Sequence, residues 1–150
     1  MDRVILFQGK RKDNGEWVTG SLLIHGSPLV CFTSDKKEPD DYYILETGFA
    51  DWHMPRPILQ YAIDPDTLRE STGLVDLKGA RVWEGDIIEG HDDGLIIVEY
   101  DVNMAQWIAK FLDGEQVTLW EFSFESRINK VDGVVVGNIF DNPELLSKTY

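Results

Sequence analysis

The side chains equipped for chemistry in this chain are few and loosely grouped. Glu84-Gly85-Asp86 sets two carboxylates around a glycine, the raw material of a general acid–base pair. A structural reading competes with it. Gly85 permits a left-handed turn, and Asp86 can accept backbone N–H groups and fix the strand that follows. We expect the structural reading, with Gly73, Asp76, Gly79, Glu84, Gly85 and Asp86 forming one turn signature between Thr72 and Ile88. His91-Asp92-Asp93 has the types of a metal-binding pair, but the only other histidines are His25 and His53, and no ligand spacing connects them. A polar hairpin tip is expected there instead. Cys31 and Ser27 lack an arranged histidine to activate them. Neither Gly-Lys-Ser/Thr nor a Gly-x-Gly-x-x-Gly phosphate loop occurs. No residue is therefore assigned a catalytic, metal-binding or cofactor-binding role, and the chain is expected not to be an enzyme.

Tryptophans at 17, 52, 83, 107 and 120 could stack on bases, as in single-strand-binding barrels. Such proteins also need a cationic groove, whereas the formal charge here is −13. That charge opposes phosphate backbones and anionic membrane surfaces alike. It also keeps a sheet protein soluble and discourages edge pairing. Residues 1–75 carry 8 basic and 12 acidic side chains, net −4; residues 76–150 carry 6 and 15, net −9. The one basic cluster, Lys10-Arg11-Lys12, runs into Asp13-Asn14-Gly15 and reads as a solvated hairpin loop. Four tryptophans fall in predicted strands or in the turn signature and are expected in the core. Trp52 lies in the irregular Asp51-Trp52-His53-Met54-Pro55 loop, where an exposed aromatic is a candidate contact residue.

The elements that must position these side chains are strands. An apolar share of 43% and 11% aromatics suit one globular domain, or two small β-units sharing a core. No apolar run is long enough for a membrane-spanning helix, and no signal peptide is expected at the start. The single cysteine excludes an internal disulfide and fits a reducing cytoplasm. Predicted strands cover 4–7, 17–24, 29–32, 42–45 and 58–63, with a charged loop over 34–41 and a proline-broken loop over 50–57. Asp64-Pro65-Asp66-Thr67 should cap a turn or two of helix through Glu70, closed by Gly73. Further strands are predicted over 82–89, 95–100, 106–112, 117–124 and 134–140, separated by Asp93-Gly94, Asp113-Gly114 and Asp132-Gly133.

Short, evenly spaced strands favour a rolled antiparallel sheet or small barrel over an α/β fold. Period two sets Trp107, Ala109 and Phe111 on one face, and Trp120, Phe122 and Phe124 on another, both expected in the core. The strand over 95–100 is apolar on both faces, which makes Leu95 and Ile97 candidate contact residues for the rest of the chain or another subunit. Asp141-Asn142-Pro143-Glu144 begins a capped turn whose Leu145 and Leu146 should fasten the tail to the sheet. The expected organisation is an N-terminal β subdomain, 1–70, packed on a β-barrel subdomain, 71–150.

Three separated blocks carry a family resemblance. They are Phe7-Gln-Gly-Lys-Arg-Lys-Asp-Asn-Gly-Glu-Trp-Val-Thr-Gly-Ser-Leu22; then Asp64-Pro-Asp-Thr-Leu68 with Thr72-Gly-Leu74, Asp76, Gly79 and Trp83-Glu-Gly-Asp-Ile87; and finally Gly137-Asn-Ile-Phe-Asp-Asn-Pro-Glu-Leu-Leu146. In these the chain resembles the YopX family of small phage and prophage proteins. It departs from that pattern at Gln8, where an arginine is common, at Thr19 and Trp83, where tyrosines are common, and at Arg69-Glu70-Ser71, which replaces a Gly-Gln-aromatic run. The resemblance implies a mainly β protein with an SH3-like barrel in the C-terminal half, self-associating, in the cytoplasm of a bacterial host. It supplies no activity. The expected function is a non-enzymatic protein-binding or assembly module, a homo-oligomer with a host or phage protein as further partner. The alternatives are a nucleic-acid-associated protein, including an acidic DNA mimic, and a metal-dependent hydrolase built on Glu84, Asp86, Asp92 and Asp93.

Overall fold

A computed structural model of the chain describes residues 3–26, 41–50, 52–90, 94–123 and 129–147. These residues are mainly β, in antiparallel sheets with three short 3-10 turns. The predicted strand over 29–32, the charged loop over 34–41, Ser27, Cys31, His91-Asp92-Asp93 and Phe124 lie outside the described residues, in whole or in part. The chain divides into two compact units, Ile5–Arg69 and Glu70–Tyr150, the latter with Met1–Val4.

In Ile5–Arg69 four strands run β1 (Phe7–Lys10), β2 (Trp17–His25), β3 (Asp41–Thr47) and β4 (Ile58–Ala62). Their order in the sheet is β4-β3-β2-β1. Gly15, at φ 72°, supplies the left-handed residue of the β1–β2 hairpin, and its N–H donates to Arg11 O at 2.9 Å. β2 changes partners midway: Trp17–Gly20 pair with β1, and Ser21–His25 pair with β3. Gly20 sits at the changeover, where a Cβ would lie 2.0 Å from Leu45 O, so no side chain fits. The first strand consequently starts at Phe7, later than the apolar run at Val4–Phe7 predicts. Val4 is 72% exposed, outside the ladder that begins at Phe7↔Gly20. The far end of the meander curls, since Arg11 bridges Ile63, Lys12 N–H donates to Ala62 O and Asp64 N–H donates to Lys10 O. Val18, Ile44 and Ile63 form the buried centre, lined by Phe7, Leu22, Tyr42, Tyr61 and Leu68.

Asp64 caps a single 3-10 turn, Pro65–Thr67, its side chain accepting from Asp66 N–H at 3.0 Å. The turn does not continue to Glu70 as the sequence suggests. Leu68 is already extended (φ −62°, ψ 130°), and Arg69–Val75 is strand β5, pairing with β6 (Arg81–Trp83). Pairing satisfies the backbone of 69–75 without helix, and Gly73 lies within the strand instead of closing a helix.

The second unit holds a five-stranded antiparallel sheet in the order β10-β9-β8-β7-β11. Its strands are β7 (Asp86–Gly90), β8 (Leu95–Asp101), β9 (Gln106–Phe111), β10 (Gln116–Thr118) and β11 (Gly133–Asn138). Among the described residues no closed barrel forms, in contrast to the closure expected from the sequence. The predicted strand over 82–89 is split by the turn at Glu84-Gly85 into β6 and β7. Ile88, Ile96, Val98, Ala109, Val82, Leu119 and Val131 are the buried core, with Trp107, Phe111 and Phe122 packed against it. The Trp107–Ala109–Phe111 face is thus the core face, as period two predicts.

The strand predicted over 117–124 stops at Thr118. Glu121 explains why: its carboxylate accepts from Thr118 N–H and Oγ1–H, both at 2.9 Å, folding the chain into a 3-10 turn, Glu121–Ser123. These bonds hold the Glu121 carboxyl below its ordinary range. Phe122 reaches the core, but Trp120 is 83% exposed, so the expected Trp120–Phe122 face does not exist. Pro143–Ser147 forms the last 3-10 turn, with Leu145 and Leu146 half-buried.

Candidate binding surface

The turn signature is a backbone clamp. Asp76 is 1% exposed, and its carboxylate takes three N–H groups: Lys78 and Ala80 donate to Oδ1 at 2.9 and 2.8 Å, and Val135 donates to Oδ2 at 3.1 Å. One side chain therefore ties the 77–80 turn to β11, 59 residues further on. Asp86 is buried too, its Oδ2 accepting Trp83 N–H at 2.8 Å across the Glu84-Gly85 turn. Gly73, Gly79 and Gly85 all have positive φ, at 83°, 87° and 78°.

The two carboxylates of Glu84-Gly85-Asp86 have different surroundings. Asp86 is occupied by backbone, while Glu84 is half-buried and its carboxyl is pushed above the ordinary range. Burial is the main cause, and the negative charges of Glu70 and Glu99 add to it. Glu70 and Glu99 each have a cation, Arg3 at 2.9 Å and Lys110 at 3.5 Å. Among the described residues no group of His, Cys, Asp and Glu is arranged to hold a metal ion. His25 and His53 are both exposed and lie in different elements.

The basic cluster near the first hairpin is engaged within its own unit. Arg11 pairs bidentately with Asp13 and lies over the Tyr61 ring at 4.4 Å, which raises the guanidinium and lowers the Asp13 carboxyl. Lys10 and Arg69 both lie over Trp17, at 5.3 and 4.3 Å from its centroid. Arg69 Nε–H donates to Gln8 Oε1 at 3.0 Å, and Gln8 Nε2 donates to Thr19 Oγ1 at 2.8 Å. The departures at Gln8, Thr19 and Arg69 are therefore one hydrogen-bonded chain.

What the surface does offer is apolar. In the loop joining β3 to β4, Phe49 is 95% exposed, Trp52 90% and Met54 69%, and Ile58 at the start of β4 is 72% exposed. Sequence reasoning singled out Trp52 and missed the other three. Pro55 and Pro57 were the available signal, since they keep this loop out of the ladder that could have buried its rings. Leu95 and Ile97 are half-buried. Ile97 pairs with the fully buried Ile87, so both of these candidate contacts present less surface than the loop. A smaller apolar area lies at the β8–β9 hairpin, with Val102 and Met104 exposed at its tip.

The turn signature, the first hairpin and the C-terminal turn are the parts of this molecule with the most specific local chemistry, and they coincide with the three sequence blocks. A family model described as YopX protein matches residues 7–147, nearly the whole of the 150-residue chain. The chain belongs to the YopX family. Within it, the Trp83-Glu-Gly-Asp-Ile87 block has a physical meaning: a left-handed glycine and a buried aspartate between two strands. The Gly137–Leu146 block likewise encodes the Asn138 side chain accepting from Phe140 and Asp141 N–H at 3.0 and 2.9 Å. Comparison with curated proteins gives no match.

Proposed function

We propose that this YopX-family protein is a non-enzymatic binding or assembly module that engages other proteins through the β3–β4 loop. The observation that carries this reading is the exposure of Phe49, Trp52, Met54 and Ile58 on a single hairpin. Isolated exposed apolar residues are ordinary, but four large ones in ten residues of chain, two of them aromatic, are the composition of a contact surface. The carboxylates support the same reading, since Asp76 and Asp86 are spent on backbone N–H groups. Origin in phage or prophage genes, action in a bacterial cytoplasm, an SH3-like scaffold and self-association belong to this proposal on the family resemblance.

The test is affinity capture from bacterial lysate with the wild type and with Phe49→Ala/Trp52→Ala, both proteins and nucleic acid being read out. Specific proteins retained by the wild type and lost by the variant are expected. An identical set on both baits, or nucleic acid as the only specific capture, overturns the reading.

A further inference from the structure

The chain holds a single Asn-Gly pair, Asn14-Gly15, and both residues are exposed at the tip of the β1–β2 hairpin. Asparagine followed by glycine is the pair most open to self-modification, because glycine sets no Cβ between its nitrogen and the asparagine side chain. The remaining asparagines precede larger residues, Met104, Lys130, Ile139 and Pro143. Cyclisation at Asn14 makes three demands. The Gly15 nitrogen must give up its proton, the Asn14 Cγ must swing into its reach, and the side-chain Nδ2 must depart as ammonia.

The folded hairpin works against each demand. Gly15 N–H donates to Arg11 O at 2.9 Å, so the proton that must leave is committed to a carbonyl. The Asn14 side chain is held at both of its polar atoms by Glu16. Its Oδ1 accepts Glu16 N–H at 3.0 Å, and its Nδ2 donates to the Glu16 carboxylate at 3.0 Å. The side chain must break this grip to turn toward Gly15, and the leaving nitrogen is the one held. The negative charge of Glu16 also opposes the anion that the Gly15 nitrogen must become. The turn itself is pinned, because Arg11 N–H donates to Glu16 O at 2.9 Å and the Arg11 side chain pairs with Asp13.

We propose that Asn14 is a self-modification site, held in check by the closed hairpin with Glu16 as the restraining residue. When the turn opens, the Gly15 nitrogen bonds to Asn14 Cγ and the Cγ–Nδ2 bond breaks. Nδ2 leaves as ammonia, carrying the proton from Gly15, and a succinimide remains. Water then adds at one of the two ring carbonyls and opens the ring to aspartate or isoaspartate, with nothing oxidised or reduced. Aspartate has no Nδ2–H for Glu16 and sets a carboxylate beside it. Isoaspartate adds a methylene to the backbone, which upsets the spacing that joins Arg11 to Glu16. Either product loosens the hairpin, and the change is one-way. This inference is independent of the binding-module reading.

The experiment ages the whole protein in warm, mildly alkaline buffer, folded and in concentrated urea, and follows the mass gain at residue 14 by peptide mapping. Asn14 should be the first asparagine to convert, and the folded protein should react about tenfold more slowly than the unfolded one, or more slowly still. Glu16→Ala, with its melting temperature checked, should speed the folded reaction by about threefold or more, the worth of a modest hydrogen bond. Glu16→Gln keeps an acceptor for Nδ2–H without the charge and should fall between wild type and Glu16→Ala. Modified protein, separated by charge, should exchange its Gly15 amide hydrogen faster than unmodified protein. The proposal is overturned by equal rates in the folded and unfolded states, or by another asparagine converting first. A folded Glu16→Ala that reacts at the wild-type rate, or unchanged Gly15 exchange in the modified protein, also overturns it.

Discussion

At the residue scale, the buried carboxylates are hydrogen-bond acceptors for backbone, and their substitutions should register in stability. Asp76→Ala leaves three backbone N–H groups without their acceptor, two of them in one tight turn. A loss of about 3–5 kcal/mol is expected in chemical denaturation, since buried unsatisfied donors cost about 1–3 kcal/mol each and partly rearrange. Asp86→Ala, which strips the acceptor from Trp83 N–H, should cost about 1–3 kcal/mol. Glu84 behaves in the opposite sense. Its carboxyl is raised above the unfolded value by burial and by Glu70 and Glu99, so the folded state holds its proton more tightly than the unfolded state. The favourable contribution is complete below the unfolded value and is lost as pH rises through the raised folded one. Glu84→Gln should therefore raise the melting temperature at neutral pH, and the gain should vanish on acidification below about pH 4, near the ordinary glutamate range. A pH-independent gain would show that charge at Glu84 is not the cause.

At the scale of elements, the turns decide where strands stop. Gly85 combines φ 78° with a tight site, because a Cβ there would lie 3.2 Å from Ile139 Cδ1 and 3.3 Å from Phe140 Cε2. Gly85→Ala should cost about 1–2 kcal/mol from the left-handed backbone alone, with crowding against Ile139 added. Urea titration checks it, and an unchanged midpoint would mean the β6–β7 turn relaxes freely. Hairpin turns with an Asp-Gly or Asn-Gly signal were legible in the sequence because the demand is local: Gly15 and Gly114 both have positive φ. The end of β10 was not legible in the same way. The alternation of Trp120, Phe122 and Phe124 has the period of a strand, yet Glu121 bonds back to Thr118 and turns the chain. A side-chain bond three residues away outweighed the pattern.

At the scale of the molecule, the buried apolar residues and the exposed loop aromatics are separate sets. The two apolar centres are built from Val18, Ile44 and Ile63 in one unit and from Val82, Ile88, Ile96 and Val98 among others in the second. Phe49 and Trp52 belong to neither. Phe49→Ala and Trp52→Ala should each stay within about 0.5 kcal/mol of wild type in thermal or chemical unfolding, the range of surface substitutions away from the core. A larger loss would return these rings to a structural role. No helix among the described residues is long and apolar enough to cross a membrane.

The sequence by itself determined the family, the antiparallel β character, the position of most strands and the left-handed turns at Gly15, Gly85 and Gly114, because each is set by residues within a turn or by a strict two-residue period. It also located Trp52 in an irregular loop, since two prolines forbid a ladder there. Only the tertiary structure decided that Val4 stays outside the first strand, that Arg69 begins a strand and not the end of a helix, and that Phe49, Met54 and Ile58 share the surface with Trp52. Those outcomes depend on which strand a backbone pairs with, and pairing partners lie tens of residues away, where local pattern carries no information.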